Sequence, residues 1–326
     1  MRLAGESILE FGNFYGNDQL KKTLSEDCAQ SRFAHLYLLA GPQGSGKHTL
    51  ALRLAAAMLC EAAGERPCGR CVACRKVFSG SHPDVITVDD TEKKTVPVDL
   101  IRKMREDLFV RPNEGRRKIY ILPRAQDLGL SAQNALLKVL EEPPAYGAFL
   151  LLADNAEKLL PTVRSRCTEL RLMPLEKKLF LKKLREQFPE ASEEQCQSAY
   201  LRSGGFLGQG AALLRSGGQL EPQTDAFAQS YAGRNSLELL RVLTSMEKLK
   251  REQLCTLLSQ WREVLLSALS YRAGAPAENQ FSEALCRGRT AAELSVACCV
   301  LERAMQYAQG NVSVGAICGD LFWKLR

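Results

Sequence analysis

The residues with the clearest chemical purpose are Gly41-Pro42-Gln43-Gly44-Ser45-Gly46-Lys47, a glycine-rich loop that ends in lysine. Glycines let backbone amides turn toward phosphate oxygens, and a lysine opening the following helix reaches the terminal phosphates. The magnesium chemistry that normally accompanies such a loop is missing. His48 stands where a serine or threonine hydroxyl would ligate the ion, and Thr49 lies one step, about 100°, further around the helix. The acidic residue expected at the end of a buried strand is absent too. Ile119-Tyr120-Ile121-Leu122 runs into Pro123-Arg124-Ala125-Gln126, with no carboxylate before Asp127. Proline cannot ligate a metal and arginine repels one. Gly41, Gly44, Gly46 and Lys47 therefore read in one of two ways: a degenerate phosphate loop that is empty or binds nucleotide only weakly, or a glycine-rich turn kept for packing.

A second constellation is Cys60, Cys68, Cys71 and Cys74, spaced C-x7-C-x2-C-x2-C. Four thiolates this close in sequence can surround one tetrahedral zinc, and a closed four-sulfur shell leaves no position for a reactive water. The expected role is structural. The alternative is a set of reduced thiols without metal. No histidine competes as a ligand, because His35, His48 and His82 all lie outside the cluster. The remaining cysteines, Cys298-Cys299 among them, read as small core residues.

These groups need a scaffold, and the first half of the chain supplies alternating apolar runs and amphipathic segments. Strands are expected at His35 to Leu39, Asp84 to Val88, Lys118 to Leu122, Phe149 to Ala153 and Cys167 to Leu172. Helices are expected at Leu50 to Met58, Val98 to Leu108 and Ser131 to Leu140. That pattern is an α/β P-loop domain with a parallel sheet, placed at 1–172 with the zinc module at 60–74. After Pro174 the strand signals stop. Leu175 to Phe188, Glu193 to Leu201 and Phe206 to Leu214 read as short helices of a small helical domain, 173–218. Ser216 to Pro222 has linker composition, and an all-α domain follows at 219–326. Its Leu254, Leu257, Leu258, Trp261, Leu265 and Ala268 share one helical stripe, with further helices at Ala291 to Ala308 and Val312 to Leu325.

Composition agrees with a soluble globular chain: 326 residues, 45% hydrophobic, 25% charged and a formal charge of +7. The longest apolar stretch, Leu54 to Cys60, is far too short to span a bilayer, and the N-terminus lacks signal-peptide character. A cytoplasmic location and no membrane partner are expected. Charge permits contact with nucleic acid without demanding it. The basic stretches Arg116-Arg117-Lys118 and Lys177-Lys178 with Lys182-Lys183 read as solvated faces.

The order of motifs resembles a family. The glycine loop is followed by the four-cysteine insert, Ser81-His82-Pro83-Asp84-Val85, Asn134 to Pro144 (NALLKVLEEPP) and Ser165-Arg166-Cys167. Across about the first 170 residues this sequence looks like the bacterial clamp-loader branch of the AAA+ ATPases. Its length and the Pro123-Arg124 replacement are similar to the delta-prime rather than the gamma/tau branch of that family.

The resemblance implies lid and collar roles for the two helical domains. It also implies gamma/tau and delta subunits as partners in a hetero-oligomeric ring, with the sliding clamp and primed DNA as the ring's targets. It makes Arg166 an arginine finger acting in trans on a neighbour's ATP; the alternative is that Arg166 merely pairs with a local carboxylate. Two departures from the family's ATPase pattern, Asp154-Asn155 at the sensor position and the arginine-free Gly204 to Gly210 in the lid, agree with a subunit that does not hydrolyse ATP. Two rival functions remain: an active gamma/tau-type ATPase, which would require magnesium for nucleotide binding, and a zinc-containing DNA-binding module with a vestigial P-loop, which would bind DNA alone with steep salt dependence.

Overall fold

The computed structural model describes residues 8–30, 32–90, 93, 95–215, 222–249, 251–275, 279–309 and 312–326. They form two compact units, 1–215 and 216–326.

In the first unit the elements run β1 (Ile8–Leu9), α1 (Asp18–Ala29), β2 (Leu36–Ala40), α2 (Lys47–Leu59), β3 (Glu65–Arg66), α3 (Val72–Phe78), β4 (Val85–Thr87) and α4 (Val98–Leu108). They continue as β5 (Lys118–Leu122), α5 (Leu130–Leu140), β6 (Gly147–Ala153), α6 (Pro161–Arg164), β7 (Thr168–Arg171), α7 (Lys177–Gln187), α8 (Glu193–Arg202) and α9 (Leu207–Arg215). The main sheet is parallel throughout, in the order β4-β5-β6-β2-β7. The expected α/β class and all five expected strands are present, each within a few residues of its sequence-based limits.

Alternation along the strands explains why these runs are apolar without interruption. Tyr37, Leu39, Ile119, Ile121, Leu150 and Leu152 face a layer built from α1, α2 and α3. Leu36, Leu38, Tyr120, Leu122, Phe149 and Leu151 face α4 and α5. Both faces of the sheet are covered, as parallel sheets require, and each buried side chain of this size contributes about 1.5–3 kcal/mol. The three helices α7, α8 and α9 enclose a separate small core of Phe180, Leu184, Cys196, Ala199 and Ala211.

The second unit is helical: α10 (Pro222–Ala232), α11 (Ser236–Met246), α12 (Arg251–Arg272), α13 (Ser282–Gly288), α14 (Ala291–Gln309) and α15 (Val314–Leu325). Every residue of the stripe expected on α12 is buried. Trp261 stacks on Phe227 at 3.9 Å and 3°, and Phe227 stacks in turn on Tyr231. The linker expected at Ser216 to Pro222, and the domain boundary within it, lie outside the described residues except for Pro222.

Candidate functional site

Parallel register brings the chemistry to one edge of the sheet. Ala40 at the end of β2 pairs with Ala153 at the end of β6, so Gly41 and Asp154 leave the sheet side by side. Strand β5 ends beside them, its Leu122 paired with Leu151. Loops after the carboxyl ends of parallel strands are where ligands of open α/β sheets bind.

The glycine loop sits at this edge, but its lysine is committed inward. Lys47 is almost buried, its side chain 9% exposed; Nζ donates to the Gly41 carbonyl and to Pro42 O at 2.8 Å, and pairs with Asp154 Oδ1 at 2.7 Å. Asp154 is steadied in turn, its backbone N–H donating to Gln126 Oε1 at 3.2 Å. From the other side, Gly208 of α9 donates its N–H to Gly44 O at 3.0 Å. Only glycines allow this approach. Gly44 has φ +75°, and a Cβ there would lie 2.4 Å from the Gln209 nitrogen; a Cβ on Gly208 would lie 2.7 Å from Gly44 O.

Neither position that would anchor magnesium offers the usual ligand. His48 is exposed on the first turn of α2. Arg124 fastens the segment after β4: Nε and Nη2 donate to Asp89 Oδ1 at 3.0 and 2.7 Å, Nη2 to Asp90 O at 2.6 Å, and Nη1 to Lys93 O at 3.1 Å. The hydrogen-bonded Asp89 raises the Arg124 pKa further, so this cation is permanent. Asp127, the first carboxylate after β5, lies 3.9 Å from the same guanidinium, and burial pushes its pKa up.

Arg166 is carried on the turn that follows α6. Its side chain is 40% exposed; Nη1 donates to Thr162 O at 2.9 Å, and Nη2 meets Glu141 Oε1 at 3.3 Å. The guanidinium thus has a local carboxylate partner and remains accessible, and an exposed pair of this kind is worth about 0–1 kcal/mol, little enough to be exchanged. What holds α6 is a residue that sequence reading passed over. Buried Gln133 donates from Nε2 to Leu128 O at 2.9 Å and Lys158 O at 3.3 Å, and accepts from Leu160 N–H at 2.7 Å, tying the start of α5 to the start of α6. Cys167, next to the arginine, is a core thiol: its Sγ contacts Val163 O at 3.2 Å, and burial pushes its pKa up to about 12.

The four cysteines converge. Cys60 ends α2, Cys68 and Cys71 lie in the following loop, Cys74 is on α3, and all four Sγ atoms lie within 4.8 Å of one another. A zinc bound to four sulfurs at about 2.3 Å would space them by about 3.8 Å, a small contraction. The N–H groups of Cys68, Cys71 and Cys74 donate to the sulfurs of Cys60, Cys68 and Cys71, each at 3.4 Å. Backbone donation from Arg70 and Cys71 lowers the Cys68 pKa to about 6, whereas burial raises those of Cys60 and Cys74. This donor set fits a soft divalent metal.

Two further motif residues prove to be structural. Asp84 is fully buried: Oδ1 accepts from Asn113 N and Nδ2 at 2.6 and 3.2 Å, and Oδ2 from Glu114 N at 2.9 Å and Gly115 N at 2.7 Å. Lys118, read as part of a solvated basic face, is instead 2% exposed, with Nζ on Asp107 Oδ1 and Asp107 O at 2.8 Å each. Its place as the first residue of a two-faced strand overrides its polarity.

Part of this chain is similar to known proteins. The family described as "DNA polymerase III, delta subunit" matches residues 16–176. The tau subunit of Bacillus subtilis DNA polymerase III is 38% identical over 158 residues, 48% of this chain and 28% of that protein. The delta-prime subunit of Pseudomonas aeruginosa is 39% identical over 142 residues, 43% of each chain. The chain thus spans less than half the length of these two curated relatives. Among solved structures, a gamma-subunit-related protein of Thermotoga maritima aligns over 95% of this chain and 100% of its own, at 18% identity and a TM-score of 0.48. Across residues 16–176, this chain is similar to the delta, delta-prime and tau subunits of bacterial DNA polymerase III.

Proposed function

We propose that this chain is a non-hydrolysing subunit of the DNA polymerase III clamp loader, acting in the cytoplasm. Together with gamma/tau and delta subunits in a hetero-oligomeric ring, it would support ATP-dependent loading of the sliding clamp onto primed DNA. Residues 1–172 serve as the AAA+ domain, 173–218 as the lid, and 219–326 as the collar through which the ring assembles. One observation carries the non-hydrolysing part. The position after β5 that needs a magnesium-binding carboxylate holds Pro123-Arg124, and Arg124 is spent on Asp89. With His48 in the other anchoring position, neither usual protein ligand remains to hold the ion.

Arg166, exposed and weakly paired, is the residue offered to a neighbour's γ-phosphate, where a planar guanidinium offsets the charge that develops during transfer. Cys60, Cys68, Cys71 and Cys74 hold a structural zinc that closes the module between α2 and α3. Similarity to tau subunits supports the rival reading of an active ATPase. One assay separates the two. The purified full chain is expected to turn over no magnesium-ATP above background; turnover that disappears with Lys47→Ala would establish the rival.

A further inference from the structure

Loss of magnesium anchors explains why ATP would not be cleaved, but it does not explain what occupies the phosphate cradle. A lysine in a glycine loop is ordinarily held ready for an anion. Here Lys47 already has one: the Asp154 carboxylate, 2.7 Å from Nζ, delivered by the register that aligns the end of β6 with the end of β2. The arrangement is built rather than incidental. The lysine side chain is 9% exposed, two backbone carbonyls of the loop accept from its ammonium, and Gln126, from the segment that replaces the acidic motif, holds the Asp154 backbone. The lid clasps the same loop through Gly208 and Gly44.

We infer that Asp154 is an internal stand-in for phosphate, and that the Gly41–Lys47 loop is a latent anion site kept closed by this one carboxylate. The physical reason is charge balance. A nearly buried ammonium with no counter-charge is costly. Removing the carboxylate therefore leaves either a destabilised lysine or a site that recruits an anion from solution. The expected ligand class is a compact phosphate anion, such as the end of a polyphosphate chain, bound without magnesium, because both anchoring positions are gone. The inference rests on the reading of the loop as one that has lost those anchors.

The test compares the full-length chain with Asp154→Asn, which keeps the shape and removes the charge, by calorimetric titration with inorganic pyrophosphate in the presence of a chelator. Asp154→Asn is expected to bind pyrophosphate at least roughly tenfold more tightly than the parent chain, the gain of a charge-assisted contact. Adding Lys47→Met to that variant should abolish the gain. Thermal melting gives a second readout: Asp154→Asn should melt below the parent and recover as pyrophosphate is added, while the parent should be indifferent. Equal pyrophosphate affinity in a variant that still melts cooperatively would overturn the inference, as would a gain that survives loss of Lys47. Magnesium-ATP turnover by the parent chain would instead defeat the non-hydrolysing reading, and the pyrophosphate comparison is independent of it.

Discussion

Replacing Asp84 with alanine tests the way this fold uses its motif residues. The carboxylate is fully buried and receives four hydrogen bonds, three of them from the consecutive backbone N–H groups of Asn113, Glu114 and Gly115. Hydrogen bonds to a charged group contribute about 1.5–3 kcal/mol each, and deletion leaves donors without an acceptor; water admitted to the gap recovers part of this. A net loss of about 3–5 kcal/mol is expected. In a unit of this size each kcal/mol moves the midpoint by about 2–4 °C, so the first unit should melt roughly 10 °C lower.

The two units need separate probes. Both tryptophans, Trp261 and Trp323, lie in the second unit, so their fluorescence is the control and should keep its transition, while far-UV dichroism and hydrogen exchange at 113–115 report the change. The effect also has a pH signature. Burial alone would raise the Asp84 pKa, but the backbone donors outweigh it and the folded value falls below the ordinary 3.8. A lowered carboxylate stabilises the fold above its unfolded pKa and loses that contribution as pH falls through the folded one. The deficit of Asp84→Ala should therefore be full at neutral pH and shrink below about pH 4. A deficit under about 1 kcal/mol at pH 7, with unchanged exchange at 113–115, would show that the Asp84 carboxylate does not hold this loop.

Two other outcomes follow from the same geometry. Metal analysis of protein purified without chelator should give one zinc per chain; stripping it, or Cys74→Ser, should loosen residues 60–74 in hydrogen exchange while leaving the tryptophan transition in place, and acid should release the metal as the thiolates protonate. Gln133→Ala should cost about 2–3 kcal/mol, since it leaves Leu160 N–H and two carbonyls unpartnered, and should raise exchange across 156–166; protection unchanged there would show that α6 is held by other contacts.

Much of this was legible in the sequence because the strongest signals are local. Uninterrupted apolar runs gave the strands, and the x2 spacings gave a cluster that indeed converges. Elements with weaker signals escaped. Helix α1 offers only Leu20, Leu24 and Cys28 to the core on an otherwise polar segment. Helix α11 had a usable cue, since Asn235 caps it by accepting from Glu238 N–H at 3.1 Å. The contacts that define the site were illegible for a different reason. Lys47–Asp154 and Arg124–Asp89 join residues far apart in the chain, and the register of a parallel sheet brings them together, while the Gln133 bridge spans the loops between α5 and α6. Lys118 shows the converse: its charge was plain, but its burial followed from a strand covered on both faces.

The proposed role, assisting a neighbour's ATP hydrolysis without cleaving ATP, depends most directly on Arg166. The measurement is single-turnover ATP hydrolysis by a loader reconstituted from this chain with the proposed gamma/tau and delta partners, comparing the parent with Arg166→Ala and Arg166→Lys. Removal of an arginine finger is expected to slow the adjoining site by roughly a thousandfold, with lysine failing to restore it because the planar fork is lost. Rates unchanged by Arg166→Ala in a fully assembled loader would rule out an arginine finger at this position.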